Sequence, residues 1–293
     1  MHVFVTGATG FVGLATVCEL IAAGHQVTGM ARDTAKADGL SKAGAFVHMG
    51  DVEDHHSLRA GLAKADAVIH TAFNHDFSKF LQNCENDRQA ILAMGEALEG
   101  RPMVVTSGLG VLPSGVEINE ETPAPRGNDA GPRAASELAC EALMEKGANI
   151  SVMRLPASVH DAGDGGFVPL LIRIARDKGV AAYAGEGTNL WAAVHRRDAA
   201  RAFRLAVERG EPRRYHLAED PGIAFRAITE TIGKGLGLPV QSLSHEDAAA
   251  HFGWFAHFAE LDIRATNEQT KALLGWKPDE IGLLADMEAH YFG

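Results

Sequence analysis

The sequence predicts an α/β chain: an open, doubly wound, mainly parallel sheet of about seven strands, with a smaller lobe toward the C-terminus. Two observations carry this reading. Short apolar runs alternate with helical patterns, and the first run ends in regularly spaced glycines, Gly7, Gly10 and Gly13, before an amphipathic segment opens. Strands separated by helix-length segments suit a parallel sheet covered on both faces.

Taken in order, the apolar runs are HVFVTG (2–7), HQVTGMA (25–31), AFVHMGD (45–51), ADAVIHTA (65–72), RPMVVTSG (101–108), ISVMRLP (150–156) and RYHLAED (214–220). Most are rich in β-branched or aromatic residues and bounded by Gly, Asp or Pro, as strands are. A helix is expected at 14–23, where Leu14, Val17, Cys18 and Ile21 share a face, and another near 57–62. Others are expected at 85–98, carrying Ile91, Met94, Gly95 and Leu98, at 133–146 and at 197–207. After Pro156 the pattern loosens into a loop, HDAGDGGF (160–167), a helix at 168–178, a glycine-rich stretch to Trp191, and helices near 224–235 and 246–258. The expected division is a nucleotide-binding domain of residues 1–155 and 192–220 and a substrate-binding lobe of 156–191 and 221–293. The second would close over the C-terminal ends of the strands, where open parallel sheets bind ligands.

Composition narrows the function. The 293 residues are 46% hydrophobic and 22% charged, enough for a large core. A net charge of −11 argues against nucleic acid or an anionic membrane as partner. No apolar stretch approaches the roughly 18 residues of a membrane helix. The first strand begins at His2, so a cytoplasmic protein without a signal peptide is expected. Cys18, Cys84 and Cys140 lack metal or redox spacing and read as reduced, mostly buried thiols. The histidine pairs 55/56 and 251/257 lack ligand spacing, so no metal site is expected.

The glycine turn carries the chemistry. Gly7 permits the turn, Gly10 lets a pyrophosphate approach the backbone, and Gly13 lets the helix pack on the strand. The backbone of Thr9, Phe11 and Val12 around the helix start belongs to the same phosphate cradle.

TGATGFVG (6–13) resembles the dinucleotide fingerprint of extended and atypical short-chain dehydrogenases/reductases of the NAD(P)-dependent epimerase/dehydratase-like kind. Further motifs extend the resemblance over about the first 220 residues. It implies a Rossmann fold and a nicotinamide cofactor. Ala31 stands where NAD-using relatives usually carry Asp, and Arg32 follows. An arginine there suits a 2′-phosphate, so NADP(H) is favoured and NAD(H) remains open. Asp33 could hold a 2′-hydroxyl or repel the phosphate. By the same resemblance Asp51 and Val52 contact adenine, and Thr71, Ala72 and Phe73 lie beside ribose and pyrophosphate. NEETP (119–123) resembles the loop before the catalytic helix, and His195 lies in a V-H-x-x-D-x-A segment between the lobes. RLPASVH, with Pro156 and Val159, resembles the R-P-x-x-V-Y-G segment beside the nicotinamide, and His160 replaces its Tyr.

The catalytic motif departs from the family. Its chemistry uses a Tyr, a Lys four residues on, and a Ser or Thr. Here PRAASELACEAL puts Arg133 in the tyrosine slot and Glu137 in the lysine slot, while Gly108 takes the Ser/Thr position with Ser107 before it. Spaced i, i+4, Arg133 and Glu137 can pair on one helix face. In one reading Glu137 accepts ribose hydroxyls and Arg133 offers a cation to the substrate oxygen; in the other they form an ordinary surface ion pair. Arginine is no practical acid, so a proton would come from Ser107 through water, from His160 or from solvent. His160 is alternatively a packing histidine. The aromatic run HFGWFAHF (251–258) either lines an apolar pocket or serves a core or subunit contact.

The function these residues predict is NAD(P)-dependent hydride transfer to or from a small carbonyl or alcohol. A non-catalytic nucleotide sensor and a nucleotide-sugar epimerase or dehydratase are the alternatives. A homodimer through the helices 85–98 and 133–146 is expected, with Ile91, Met94, Ala135, Leu138 and Ala142 as core or interface residues.

Overall fold

Each of the seven apolar runs supplies one strand of a single parallel sheet. The computed structural model describes residues 1–218 and 222–293; the end of the run 214–220 and the expected boundary at 220/221 lie outside the described residues. In chain order the strands are β1 (His2–Thr6), β2 (Gln26–Ala31), β3 (Phe46–Met49), β4 (Ala67–His70) and β5 (Met103–Gly108), followed by Ile150–Leu155 and Arg214–His216. Across the sheet the order is Arg214–His216, Ile150–Leu155, β5, β4, β1, β2, β3. The strands are added outward in opposite directions from β1 and from β4, and β1 sits at that change, where Val3 pairs with Val27 on one side and Ala67 on the other. The crevice at that switch point opens at the tips of β1 and β4, just where the glycine turn begins.

The strands are apolar throughout because both faces are covered. Phe4 packs with Leu58, Leu62 and Ile91 on one face. Val3 and Val5 pack with Val17, Leu20 and Phe203 on the other. The covering helices are α1 (Phe11–Ala22), α2 (Thr34–Lys42), α3 (His55–Leu62), α4 (Phe80–Gly95), α5 (Ala134–Glu145) and α7 (Arg196–Arg209), with α6 (Phe167–Lys178) and α8 (Phe225–Leu236) in the second core.

Several boundaries differ from the sequence reading. Helix α2 was not anticipated, its mean hydropathy being low; Asp33 caps it by accepting the Lys36 N–H at 2.8 Å. Helix α4 starts earlier, at Phe80, and ends at Gly95. The helix expected at 246–258 is broken at Gly253, whose φ of 57° lies in the left-handed region. It becomes α9 (His245–Phe252), a 3₁₀ turn and α10 (Ala256–Ala259). Helices α11 (Glu268–Leu274) and α12 (Leu283–His290) complete the chain. Leu274 and Trp276 return to the first core, although 221–293 was assigned to the smaller lobe. Cys18 is exposed, not buried, because Val17 and Leu20 define the inner face of α1; Cys84 and Cys140 are buried. Ile91 and Met94 are wholly buried within the chain, whereas Ala142 is exposed.

Candidate active site

The glycine turn has the geometry of a phosphate cradle. Gly7 sits at φ 65°, and a Cβ there would lie 2.5 Å from the Ala72 nitrogen. A Cβ on Gly13 would lie 2.1 Å from the Gly7 carbonyl and 2.8 Å from Thr71 Oγ1. Gly10 donates to the Gly7 carbonyl at 2.8 Å, and among the described residues its Cβ would meet only that carbonyl, at 3.1 Å. The backbone above it is therefore open to a ligand. Thr71 Oγ1 donates to the Thr6 carbonyl at 2.8 Å, tying the tips of β4 and β1 beneath the turn. Arg196 lies over the Phe11 ring at 4.5 Å and binds Asp161 at 2.7 Å, joining α7 to the loop after Ser158–His160. Arg32 is exposed just past β2. Asp33 is engaged in its cap, and Asp51 accepts the Glu53 N–H at 3.0 Å. Among the described residues no cluster could hold a metal ion.

The expected Arg133–Glu137 pair does not form. Arg133 turns toward α4, where its Nη1 binds Asp87 Oδ2 at 2.8 Å and also donates to Ser136 Oγ. Its Nη2 donates to the Thr106 carbonyl at 3.1 Å, and the guanidinium lies 4.3 Å from the Phe73 ring centroid. Asp87 is buried and shared. Ser136 donates to it at 2.5 Å, and His70 Nε2 donates at 2.9 Å while His70 Nδ1 meets the Thr6 hydroxyl at 2.6 Å. Burial would raise the Asp87 pKa, but the Arg133 charge, His70 and Ser136 outweigh it and hold it at about 2. Arg133 is thus a fixed cation at the cleft, with an Nε–H and one Nη2–H left over.

Glu137 is not a surface residue. It is fully buried against the equally buried Arg154, whose Nε lies 3.1 Å from both carboxylate oxygens and whose Nη2 also donates. Ser107 Oγ donates to Glu137 Oε2 at 2.9 Å, so its proton is committed. Arg154 Nη1 donates to His216 Nε2 at 3.0 Å, and His216 Nδ1 donates to the Thr266 carbonyl at 3.0 Å. Burial first, then the Arg154 charge, push the His216 pKa down to about 3 from 6.5. The fold therefore holds His216 neutral while the unfolded chain protonates it. Stability from this group is full above pH 6.5 and falls as pH drops toward 3. About 3 kcal/mol should be lost between pH 6.5 and about pH 4, one pKa unit being about 1.4 kcal/mol. Thermal melts at the two pH values check this: a His216→Asn variant should lose most of the slope, and an unchanged slope would refute the assignment.

His160 is also buried. Its Nδ1 donates to Asp286 Oδ2 at 2.8 Å, Nε2 has no hydrogen-bond partner among the described residues, and the ring meets His195 edge-on at 5.4 Å. Burial outweighs Asp286 and lowers its pKa. Asp286 also binds His290 at 2.6 Å, so α12 anchors this strand. His195 caps α7 by accepting the Arg197 N–H at 3.2 Å, a structural role. Pro156 is buried and Val159 half-buried on either side of Ser158.

Sequence reasoning missed the partners. Asp87, Arg154 and Asp286 were not singled out, though an arginine inside ISVMRLP is itself a signal that a carboxylate must meet it. The aromatic segment after β4 was also missed. Phe77 stacks on Trp254 at 5.0 Å and touches Phe167 and Phe258, each at 6.2 Å. In the run 251–258, Phe252 and Phe255 are core residues, while Trp254 remains 57% exposed at the surface.

The sequence profile of the NAD dependent epimerase/dehydratase family matches residues 3–218. The chain belongs to this family. An uncharacterized protein of Schizosaccharomyces pombe is 42% identical over 98% of each chain. A 4-hydroxy-2-methyl-3-oxo-4-farnesyl-3,4-dihydroquinoline-1-oxide ketoreductase of Stigmatella aurantiaca is 27% identical over 86% of this chain and 80% of its own. Among solved structures, dTDP-glucose 4,6-dehydratase of Bacillus anthracis in complex with NAD superposes with a TM-score of 0.77 at 15% identity, covering 99% of this chain and 96% of its own. That likeness shows the fold, a Rossmann-type sheet. The family is NAD(P)-dependent. No helix among the described residues is long and apolar enough to cross a membrane.

Proposed function

We propose that the chain is an NAD(P)-dependent oxidoreductase that moves hydride to or from a small carbonyl or alcohol without a Tyr-x-x-x-Lys pair. The observation that carries this is the glycine turn at the switch point, where Gly7 and Gly13 have no room for a Cβ and Gly10 leaves the backbone open. Gly7, Thr9, Gly10, Phe11, Val12 and Gly13 would hold the pyrophosphate. Asp51 and Val52 would flank adenine, and Thr71, Ala72 and Phe73 the ribose. Ser107, Pro156 and Val159 would border the nicotinamide. When bound, the cofactor supplies or accepts the hydride. Arg133 stabilises charge on the substrate oxygen, because its cation is already oriented by Asp87, Ser136 and Thr106. The relative named as a ketoreductase supports carbonyl chemistry. The test is loss of NADPH absorbance against a panel of aldehydes, ketones and quinones.

NADP(H) is the preferred cofactor in this reading, because Arg32 is exposed beyond β2 and Asp33 is taken up as a cap. Arg32→Ala should weaken NADPH binding by about 1.5–3 kcal/mol and leave NADH binding nearly unchanged. Equal weakening of both in calorimetry would count against NADP(H).

One observation favours a non-catalytic nucleotide sensor: Glu137, in the lysine slot, is neutralised by Arg154 and reaches no solvent. Turnover with any acceptor removes that reading. A nucleotide-sugar epimerase or dehydratase lacks support because the tyrosine slot holds no base. A two-fold dimer is proposed through the outer faces of α4 and α5; a monomer mass in light scattering would exclude it.

A further inference from the structure

Hydride addition to an isolated ketone leaves an alkoxide about as basic as hydroxide, and bulk water ionises only near 15.7. Such a reaction needs an acid beside the oxygen. Among the described residues, none of the groups bound to Arg133 has a proton to give. Asp87 is ionised and fully occupied, and Ser107 has donated to Glu137. His75, exposed beside Phe73 at 5.3 Å, is disfavoured as a cation by desolvation and by the Arg133 charge and makes no bond to Arg133, and His160 is buried on Asp286. What the site offers is a permanent cation. A cation alone suffices when hydride addition leaves a delocalised oxyanion, since a phenol ionises near 10 and water can then deliver the proton.

Aromatic rings continue from the cation: Phe73 meets Phe80 at 6.3 Å, and Phe80 meets Phe77 at 5.7 Å. Phe73 lies under Arg133, and Phe77 continues the same segment from the tip of β4. From the other side come Phe167, at the start of α6, and Trp254 and Phe258, near the break after α9. Phe77 and Trp254 are nearly parallel, at 29°, and Trp254 is 57% exposed. A flat ring can part that stack and lie against both faces at modest cost, because an aromatic pair is worth about 0.5–1.5 kcal/mol beyond its buried area.

We propose, on the oxidoreductase reading above, that the acceptor is a flat conjugated carbonyl compound of the quinone or aryl-enone type, its oxygen on Arg133 and its plane against Phe77 and Trp254. The acceptor carbon takes the hydride with its electron pair from the reduced nicotinamide. The displaced π pair collects on oxygen beside Arg133 as a delocalised enolate. Water protonates it, giving the saturated ketone from an enone; from a quinone, the carbon that took the hydride then loses a proton to water as the second oxygen gains one, giving the hydroquinone and, in either case, the oxidised dinucleotide.

The experiment compares a naphthoquinone, benzylideneacetone and cyclohexanone as acceptors for NADPH and NADH, each corrected for the reaction without protein. The conjugated compounds should show kcat/KM at least about 100-fold above cyclohexanone, a difference of about 2.7 kcal/mol. Phe77→Ala and Trp254→Ala should each weaken binding of the naphthoquinone, measured by calorimetry with no dinucleotide present, by about tenfold, with unchanged melting temperature. Cyclohexanone turned over as well as the conjugated compounds overturns this inference and leaves the oxidoreductase reading standing. Naphthoquinone binding indifferent to both substitutions also overturns the placement. No turnover with any acceptor, while NADPH binds, overturns both.

Discussion

Arg133→Ala is expected to lower turnover by about 10–1,000-fold, the loss that follows removal of one preorganised charge-stabilising group. The guanidinium is held from three directions, by Asp87 Oδ2, Ser136 Oγ and the Thr106 carbonyl, so it loses little freedom when a substrate oxygen arrives. Arg133→Lys keeps a charge but not the fork that reaches Asp87 and Thr106 together, and should fall between Ala and wild type. Asp87 keeps His70 and Ser136 in either variant, so the fold survives with a cost of about 1–3 kcal/mol. Steady-state rates on an acceptor found in the panel, alongside melting and NADPH binding, separate the two effects. Full activity in Arg133→Ala would place the oxyanion elsewhere, and His160 would be the next residue to replace.

Glu137→Gln should cost about 3–5 kcal/mol of stability, the range for leaving one member of a buried ion pair without its partner. Both Glu137 and Arg154 are wholly inaccessible, so the stranded guanidinium finds no water. This reverses what an exposed helical pair would do, where the change would be a few tenths of a kcal/mol. A fall of roughly 10 °C in Tm is expected. The double variant Glu137→Leu/Arg154→Met should recover part of the loss, since it removes both charges while leaving Ser107 and His216 without their partners. A melting temperature for Glu137→Gln within about 1 °C of wild type would contradict the burial of the pair.

The two predictions differ because two residues one helical turn apart have different surroundings. Arg133 precedes α5 and reaches the cleft. Glu137, one turn later, points beneath β5 to the strand Ile150–Leu155. Spacing alone places both on one helix face, whereas here Arg133 turns to Asp87 and Glu137 to Arg154. It could not say that each would find a nearer opposite charge.

The sequence by itself determined the seven strands and the glycine turn. Each is local: an apolar run or a spacing of glycines. Helix α2 escaped because only its Asp33 cap announces it in a polar stretch. The partners of the charges were decided by tertiary structure alone. Asp87 meets Arg133 across 46 positions, Glu137 meets Arg154 across 17, and Asp286 meets His160 across 126. Strand order brings Ile150–Leu155 beside β5, and only there does the buried arginine face the carboxylate of α5. Periodicity reports which face of an element is buried, whereas a buried charge pairs with whatever opposite charge the packing of non-adjacent elements sets within reach.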